Sequence, residues 1–340
     1  MSKAFRVAVV GATGLVGESM MRVLEERKFP VSELHALASN RSLGRRVEFG
    51  GRRQPVEELA GFDFSRADIG LFSAGSEVSA EHAPKAAAAG CVVIDNTSQF
   101  RYDDDIPLIV PEVNAHAIAQ YRARGIIANP NCSTIQMVVA LKPIYDAVGI
   151  ERINVATYQS VSGAGKEAVE ELAAQSAALL NGRPIEAPHI IAKQIAFNCV
   201  PQIDRFQDNG YTKEEMKMLW ETRKILEIPD IALTATCVRV PVFYGHSEAV
   251  NVVTREPITP EAVRALLEKA PGVIVVDDRG TGAWPSALDV AGQDATYVGR
   301  IRGDCSHERG INFWVVADNI RKGAALNSVQ IAELLIRDYL

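Results

Sequence analysis

Residues 6–27 read RVAVVGATGLVGESMMRVLEER. A short β-branched run enters a turn holding Gly11, Gly14 and Gly17, and leaves it as a helical pattern over residues 14–28. Strand, glycine-rich turn and helix in that order suit a pyrophosphate. Glycines let the backbone come close, and the helix N-terminus offers unpaired N–H groups at the positive end of its dipole. The spacing, G-x-x-G-x-x-G, departs from the commoner G-x-G-x-x-G. Glycine after a strand also makes plain tight turns, so it is the strand-to-helix context that favours a nucleotide.

Working outward, the same rhythm continues through ELHALAS (33–39), DIGLFSAG (68–75) with a helical stretch at 76–89, CVVIDN (91–96) and GIIANPN (125–131). Such alternation predicts βαβ units and a Rossmann-type, mostly parallel sheet with helices on both faces. After about residue 132 the pattern changes. Longer strand-like segments lie at 151–161, 231–242, 246–254, 295–302 and 311–318, with helical ones at 165–180, 213–227 and 260–269. These predict an α+β second domain built on an antiparallel or mixed sheet with one face covered by helices. The final stretch, GAALNSVQIAELLIRDYL (323–340), reads as an amphipathic helix. The acidic run at 103–105 reads as a solvated turn.

With 340 residues, 47% of them hydrophobic, the chain can build two domains or one large one. A net charge of −6 without a basic stretch argues against nucleic acid and leaves room for a small anionic substrate. The N-terminal apolar run is too short for a membrane span and meets a glycine turn instead of a cleavage site, so a cytoplasmic protein is expected. Cysteines at 91, 132, 199, 237 and 305 form no C-x-x-C pair. They suit neither a disulfide framework nor a zinc site, so no metal is expected, and reduced thiols are the economical reading.

The second strand bears on the choice of nucleotide. A carboxylate at its end would accept the ribose hydroxyls of NAD, but ALASNRSLGRR (36–46) offers Ser39, Asn40, Arg41 and Ser42 there and no acid. Arg41 and Ser42 could hold a 2′-phosphate, which favours NADP; Arg45, Arg46, Arg52 and Arg53 read as surface charge. In NPNCST (129–134), Pro130 and Asn131 end a strand, while Ser133 and Thr134 are good helix starters. Cys132 therefore falls at a helix N-terminus, where dipole and free N–H groups favour thiolate, although a small packing residue could also occupy such a junction. A nicotinamide site on the same chain strengthens the reactive reading, because a thiolate with a hydride acceptor converts an aldehyde to a thioester. A proton shuttle is then wanted. His35, His82, His116, His189 and His307 sit in core, surface or loop contexts, whereas His246 begins a strand after a Tyr-Gly turn in CVRVPVFYGHSEAV. It could be a catalytic group or a surface residue.

GATGLVG, NPNCST, SVSGAGKEA, EEMKMLWETRKI and CVRVPVFYGHSE together resemble the aspartate-β-semialdehyde dehydrogenase family, in the expected order over nearly the whole chain. The resemblance implies NADPH-dependent reduction of aspartyl-β-phosphate to aspartate semialdehyde and phosphate, the branch-point step toward lysine, threonine and methionine. It implies Cys132 as the nucleophile that forms a thioester, His246 as the acid/base, and Gln159 as the residue that orients the acyl group. Arg239 would grip the α-carboxylate, where a planar fork suits two oxygens. Glu214 would meet the α-ammonium, with Glu215 a neighbouring acid, while Lys217, Arg101 and Asn131 would hold phosphate. For the cofactor it implies Gly11, Thr13, Gly14, Leu15, Val16, Arg41, Ser42, Ser162, Gly163 and Asn319, where some relatives carry glutamine. It further implies that the last helix returns to the first domain, giving residues 1–131 plus 319–340 for NADP and 132–318 for catalysis and dimerisation. The family is homo-oligomeric, usually dimeric.

Two rivals are weighed against this reading. N-acetyl-γ-glutamyl-phosphate reductases perform the same chemistry on a substrate without an ammonium, for which Glu214 has no use. A nonenzymatic relative would have no chemical reason to keep Cys132, His246, Arg239 and Lys217 together.

Overall fold

The strand that enters the glycine turn, β1 (Phe5–Val10), lies inside a seven-stranded sheet. The computed structural model describes residues 3–340. The other strands of this sheet are β2 (Val31–Ala38), β3 (Arg46–Phe49), β4 (Arg52–Glu58), β5 (Ile69–Phe72), β6 (Val92–Asp95) and β7 (Ile126–Ala128), in the order β3-β4-β2-β1-β5-β6-β7. All neighbours run parallel except β3 with β4. Because helices cover both faces, β5 and β6 are buried along their whole length. The chain builds outward from β1 in one direction and then, from β5 onward, in the other, so the glycine turn sits at the topological switch point.

Backbone geometry makes the glycines of that turn necessary. Gly11 has φ +89°, and a Cβ on Gly17 would lie 2.2 Å from the Gly11 carbonyl oxygen. The helix Leu15–Glu26 can approach the strand only because nothing projects there. Its cap, Gly14, gives no side-chain bond to the first N–H groups.

The sequence reading does not anticipate β3 and β4. They form a hairpin across Gly50 and Gly51, at φ +62° and +68°, and the Gly-Gly pair between two short runs was the available signal. Arg45, Arg46, Arg52 and Arg53 are exposed on it, as expected of surface charge.

Contacts group the chain up to Asn131 with Ala324–Leu340, and Cys132–Gly323 as a second unit. In the first, the helix Leu326–Asp338 buries Leu326, Val329, Ile331 and Leu335 in the same core as Val7, Val9, Met20 and Leu24. In the second, six strands form a mixed sheet in the order β11-β12-β13-β10-β8-β9: β8 (Ile150–Gln159), β9 (Ala232–Arg239), β10 (His246–Thr254), β11 (Val273–Val275), β12 (Thr296–Gly303) and β13 (Gly310–Ala317). The short β11 is a further strand the sequence reading lacks. The helix Cys132–Val148 packs on this sheet and beside the helix Lys213–Leu226. It is buried almost all round, as its apolar run from Ile135 to Leu141 requires. Among the described residues, no helix is long and apolar enough to cross a membrane.

Gly17→Ala should cost about 1–3 kcal/mol, the usual penalty for overpacking a rigid site. Gly61→Ala, where a Cβ would meet nothing within 4 Å, should be near neutral in the same urea titration. Equal midpoints for the two variants would show that the turn yields freely.

Candidate active site

Three strand ends converge in the second unit. Parallel β8 and β9 finish level with each other, Gln159 opposite Arg239, and antiparallel β10 starts beside them with His246. Ser160, the residue after β8, joins two of these groups. Its N–H donates to His246 Nδ1 at 3.1 Å, its Oγ lies 3.0 Å from the same nitrogen, and its carbonyl accepts from Arg239 Nη1 at 2.7 Å. An amide N–H can only donate, so Nδ1 carries no proton and the neutral ring bears its proton at Nε2. Burial pushes the His246 pKa down to about 3, with the Arg239 charge acting in the same direction. Nε2 itself meets no hydrogen-bond partner. Gly163 borders it: a Cβ there would sit 3.1 Å from Nε2 and 2.9 Å from Arg239 Nη1.

Cys132 is the first residue of its helix and is partly buried. Gly323 presses on its other side, since a Cβ at that position would lie 2.6 Å from the Cys132 Cβ. The neighbouring Ser133 Oγ accepts from Gln159 Nε2, which also donates to Glu214 Oε1 at 3.2 Å. Lys217 donates to Glu214 Oε2 and to Asp204 Oδ2, both at 2.9 Å. Burial alone would lower the Lys217 pKa, but the two carboxylates outweigh it and hold the pKa above its ordinary value. Glu215 is spent elsewhere. It closes a capping box with Thr212 and accepts the Cys237 N–H, so Glu214 is the acid that faces Gln159.

Arg239 is buried, which lowers its pKa while Glu214 opposes that shift. It lines a cavity of about 350 Å³ together with His189, Gln202 and Asp204. Asn319 Oδ1 accepts from the Gly245 N–H at 3.0 Å and from Ser160 Oγ at 3.1 Å, and its amide meets Ser162 Oγ. The second unit thus gathers Cys132, Gln159, Ser162, Gly163, Glu214, Lys217, Arg239, His246 and Asn319.

The remaining candidates lie in the first unit. Gly11, Thr13, Gly14, Leu15 and Val16 make the turn and open the helix, and Thr13 Oγ1 is 3.3 Å from Ser42 Oγ. Ser42 is buried, while Arg41 is exposed beside it in the single turn Asn40–Ser42. Arg101 is buried and donates to the Asn96 carbonyl at 2.8 Å. Asn131 is buried just before the helix Cys132–Val148. Sequence reasoning missed Ser160, Asp204 and Gly323. Ser160 directly follows Gln159, but its role depends on a histidine on another strand. Neither Asp204 nor Gly323 carries any local signal.

Family models match most of the chain: a semialdehyde dehydrogenase NAD-binding domain over residues 6–121, and a semialdehyde dehydrogenase dimerisation domain over residues 141–322. Aspartate-semialdehyde dehydrogenase 2 of Vibrio cholerae is 63% identical over 339 residues, covering 100% of both chains. The crystal structure of aspartate semialdehyde dehydrogenase II from Vibrio cholerae, complexed with ASA, superimposes with a TM-score of 0.98 at 62% identity over 100% of both chains. The enzyme of Candida albicans, solved with NADP, gives a TM-score of 0.75 at 26% identity over 98% of each chain.

A histidine buried neutral contributes stability that is fully present above its unfolded pKa of about 6.5 and is lost as pH falls toward its folded value. His246→Asn removes that linkage. The melting temperatures of parent and variant should therefore converge between pH 6.5 and about 4; parallel curves would mean that the ring is charged or exposed.

Proposed function

The chain belongs to the aspartate-semialdehyde dehydrogenase family, and we propose that Cys132, His246, Gln159 and Arg239 carry its reaction. That reaction is the NADPH-dependent reductive dephosphorylation of L-aspartyl 4-phosphate to L-aspartate 4-semialdehyde and phosphate, in the biosynthesis of lysine, threonine and methionine. The observation that carries the assignment of residues is the convergence of Gln159, Arg239 and His246 on Ser160 and on the helix that begins with Cys132.

Cys132 attacks the acyl carbon as thiolate. A C–S bond forms while the C–O bond to phosphate breaks, and phosphate leaves with the electron pair. Gln159, tied to Ser133 and Glu214, orients the acyl oxygen. NADPH, when bound, supplies the hydride that reduces the thioester. His246 presents the proton at Nε2 to the oxygen on which negative charge builds, and recovers it as the thiohemiacetal collapses to aldehyde and thiolate. Burial serves this role, because it keeps the resting ring neutral with its donor aimed into the site.

Substrate recognition follows charge. Arg239 takes the α-carboxylate, and Glu214 takes the α-ammonium. Lys217, Arg101 and Asn131 take the phosphate. An N-acylated homologue offers no ammonium for Glu214 to meet, which disfavours that rival. The glycine turn fits a dinucleotide, since Gly14 caps the helix Leu15–Glu26 with no side chain bonded to its first N–H groups. Gly11, Thr13, Gly14, Leu15 and Val16 would hold the pyrophosphate end, Arg41 and Ser42 the 2′-phosphate, and Ser162, Gly163 and Asn319 the end nearer the chemistry. The first unit serves as the NADP-binding domain and the second as the catalytic one, through which the chain forms a homodimer. A reactive thiol and a reduced cofactor suit the cytoplasm.

Phosphate-dependent reduction of NADP by aspartate semialdehyde should vanish in Cys132→Ser, by at least about 10³-fold given the weaker nucleophile. Near-normal turnover would remove the thioester route. Arg41→Ala should narrow the ratio of kcat/KM for NADP over NAD by about tenfold, the worth of one charge-assisted bond. An unaltered ratio would place 2′-phosphate recognition elsewhere.

A further inference from the structure

Two acids hold Lys217, and the single ammonium of a substrate needs only one of them. The second, Asp204, lies in the irregular stretch before the helix Lys213–Leu226, with φ +67°. Aspartate tolerates that left-handed backbone better than most residues, and here the Arg205 N–H donates to Oδ1 at 2.8 Å. Oδ2 is left for Lys217 Nζ, which donates to it at 2.9 Å and to Glu214 Oε2 at the same distance. Asp204 and Arg239 line one cavity. With 32% of its side chain exposed against 7% for Glu214, Asp204 is the outer of the two acids. Burial favours its protonated form, as does the Glu214 charge, yet the Arg205 N–H and the Lys217 ammonium outweigh both and keep it ionised.

The charges that meet a substrate here are the cations Arg239 and Lys217 and the anions Glu214 and Asp204. Glu214 alone against two cations would leave the site net positive, which suits a plain carboxylate better than an amino acid. Lys217 would also pair with Glu214 undivided, and that acid would have little charge to offer an ammonium. A second carboxylate on Lys217 removes both difficulties. We propose that Asp204 is a specificity-determining residue of this reaction: by sharing Lys217 with Glu214 it leaves Glu214 free to meet the α-ammonium, so that the site selects the amino acid over its des-amino counterpart. Lysine has three N–H donors, and two of them go to the carboxylates. The third remains for the phosphate.

Asp204→Asn keeps the shape, an acceptor for the Arg205 N–H and a side chain that suits the left-handed backbone, and removes only the charge. In the phosphate-dependent reduction of NADP, kcat/KM for aspartate semialdehyde should fall about fivefold through KM, the scale of one partly exposed charge acting beside an ion pair. Succinate semialdehyde, which lacks the amine, should hold its kcat/KM or gain. The KM for phosphate should not rise, because Lys217 keeps its charge with one acid fewer. Should succinate semialdehyde not turn over, its inhibition constant against aspartate semialdehyde stands in for it. A parental KM for aspartate semialdehyde, or equal losses on the two aldehydes, would overturn the proposal. Asp204→Gly, which the backbone at φ +67° also accepts, decides the matter should the Asn variant not fold. The inference rests on Glu214 meeting the α-ammonium, so Glu214→Gln is assayed alongside. It should narrow the ratio between the aldehydes further than Asp204→Asn does, and an unaltered ratio in that variant would instead remove the reading of Glu214 itself.

Discussion

One residue's backbone fixes the chemistry of the second unit. The Ser160 N–H decides which imidazole nitrogen of His246 carries the proton, and the Ser160 carbonyl holds the guanidinium of Arg239. On the Ser160 side both bonds use the main chain, which a substitution of that residue does not remove. Both follow from the register in which β8 ends level with β9 and beside the start of β10. A slip of one residue would turn Gln159 away from the site and bring the wrong amide to the imidazole. The length of β8 therefore decides which residues meet at this point, and it is set by pairing along ten residues.

The charges around this point are arranged so that none of the buried ones stands alone. Lys217 lies between Glu214 and Asp204, and Glu214 also takes the amide of Gln159. His246 and Glu248 avoid the cost of buried charge by staying neutral, one by losing its proton and the other by keeping it. They stand two residues apart on one strand with shifts in opposite directions from a single cause, burial. Arg239 differs: its charge persists and meets a main-chain carbonyl instead of bridging directly to an acid. A buried guanidinium so placed has fork positions to offer an incoming carboxylate, and the cavity it lines is where such a group would enter.

What was legible in the sequence is what is local in the chain. The glycine turn and the placement of Cys132 at a helix start each need only a short run in which strand, turn and helix follow one another. The mixed second sheet could be read from long, partly alternating strands. The β3–β4 hairpin was hidden because its strands are short, arginine-rich and exposed, which looks like loop. Roles that arise from register were out of reach. Ser160 and His246 are separated by 86 positions, and Gln136 and His246 by 110, and their meeting depends on how a helix lies across a sheet. Glu214 and Glu215 were indistinguishable until the capping box consumed Glu215. His246 and Arg239 gained their roles from family resemblance, because a histidine after a glycine turn carries no chemistry by itself.

The cavity beside Arg239 poses a separate physical problem, because part of its wall has no regular secondary structure. Residues 188–196 run without helix or strand, yet Ile191, Ile195 and Ala196 are buried there. Their backbone N–H groups cannot be left without acceptors in an apolar core. The helix Lys166–Leu180 supplies those acceptors from two side chains one turn apart. Glu171 takes the N–H groups of His189, Ile190 and Ile191, and Gln175 takes those of Ile195 and Ala196. Five bonds from one helix face replace the ladder that a strand would have had. The carboxylate contributes what an amide could not, since both its oxygens accept and neither must donate. An irregular segment held this way can follow the contour of a small polar substrate, which a straight strand could not, and it keeps that shape without relying on the substrate to impose it.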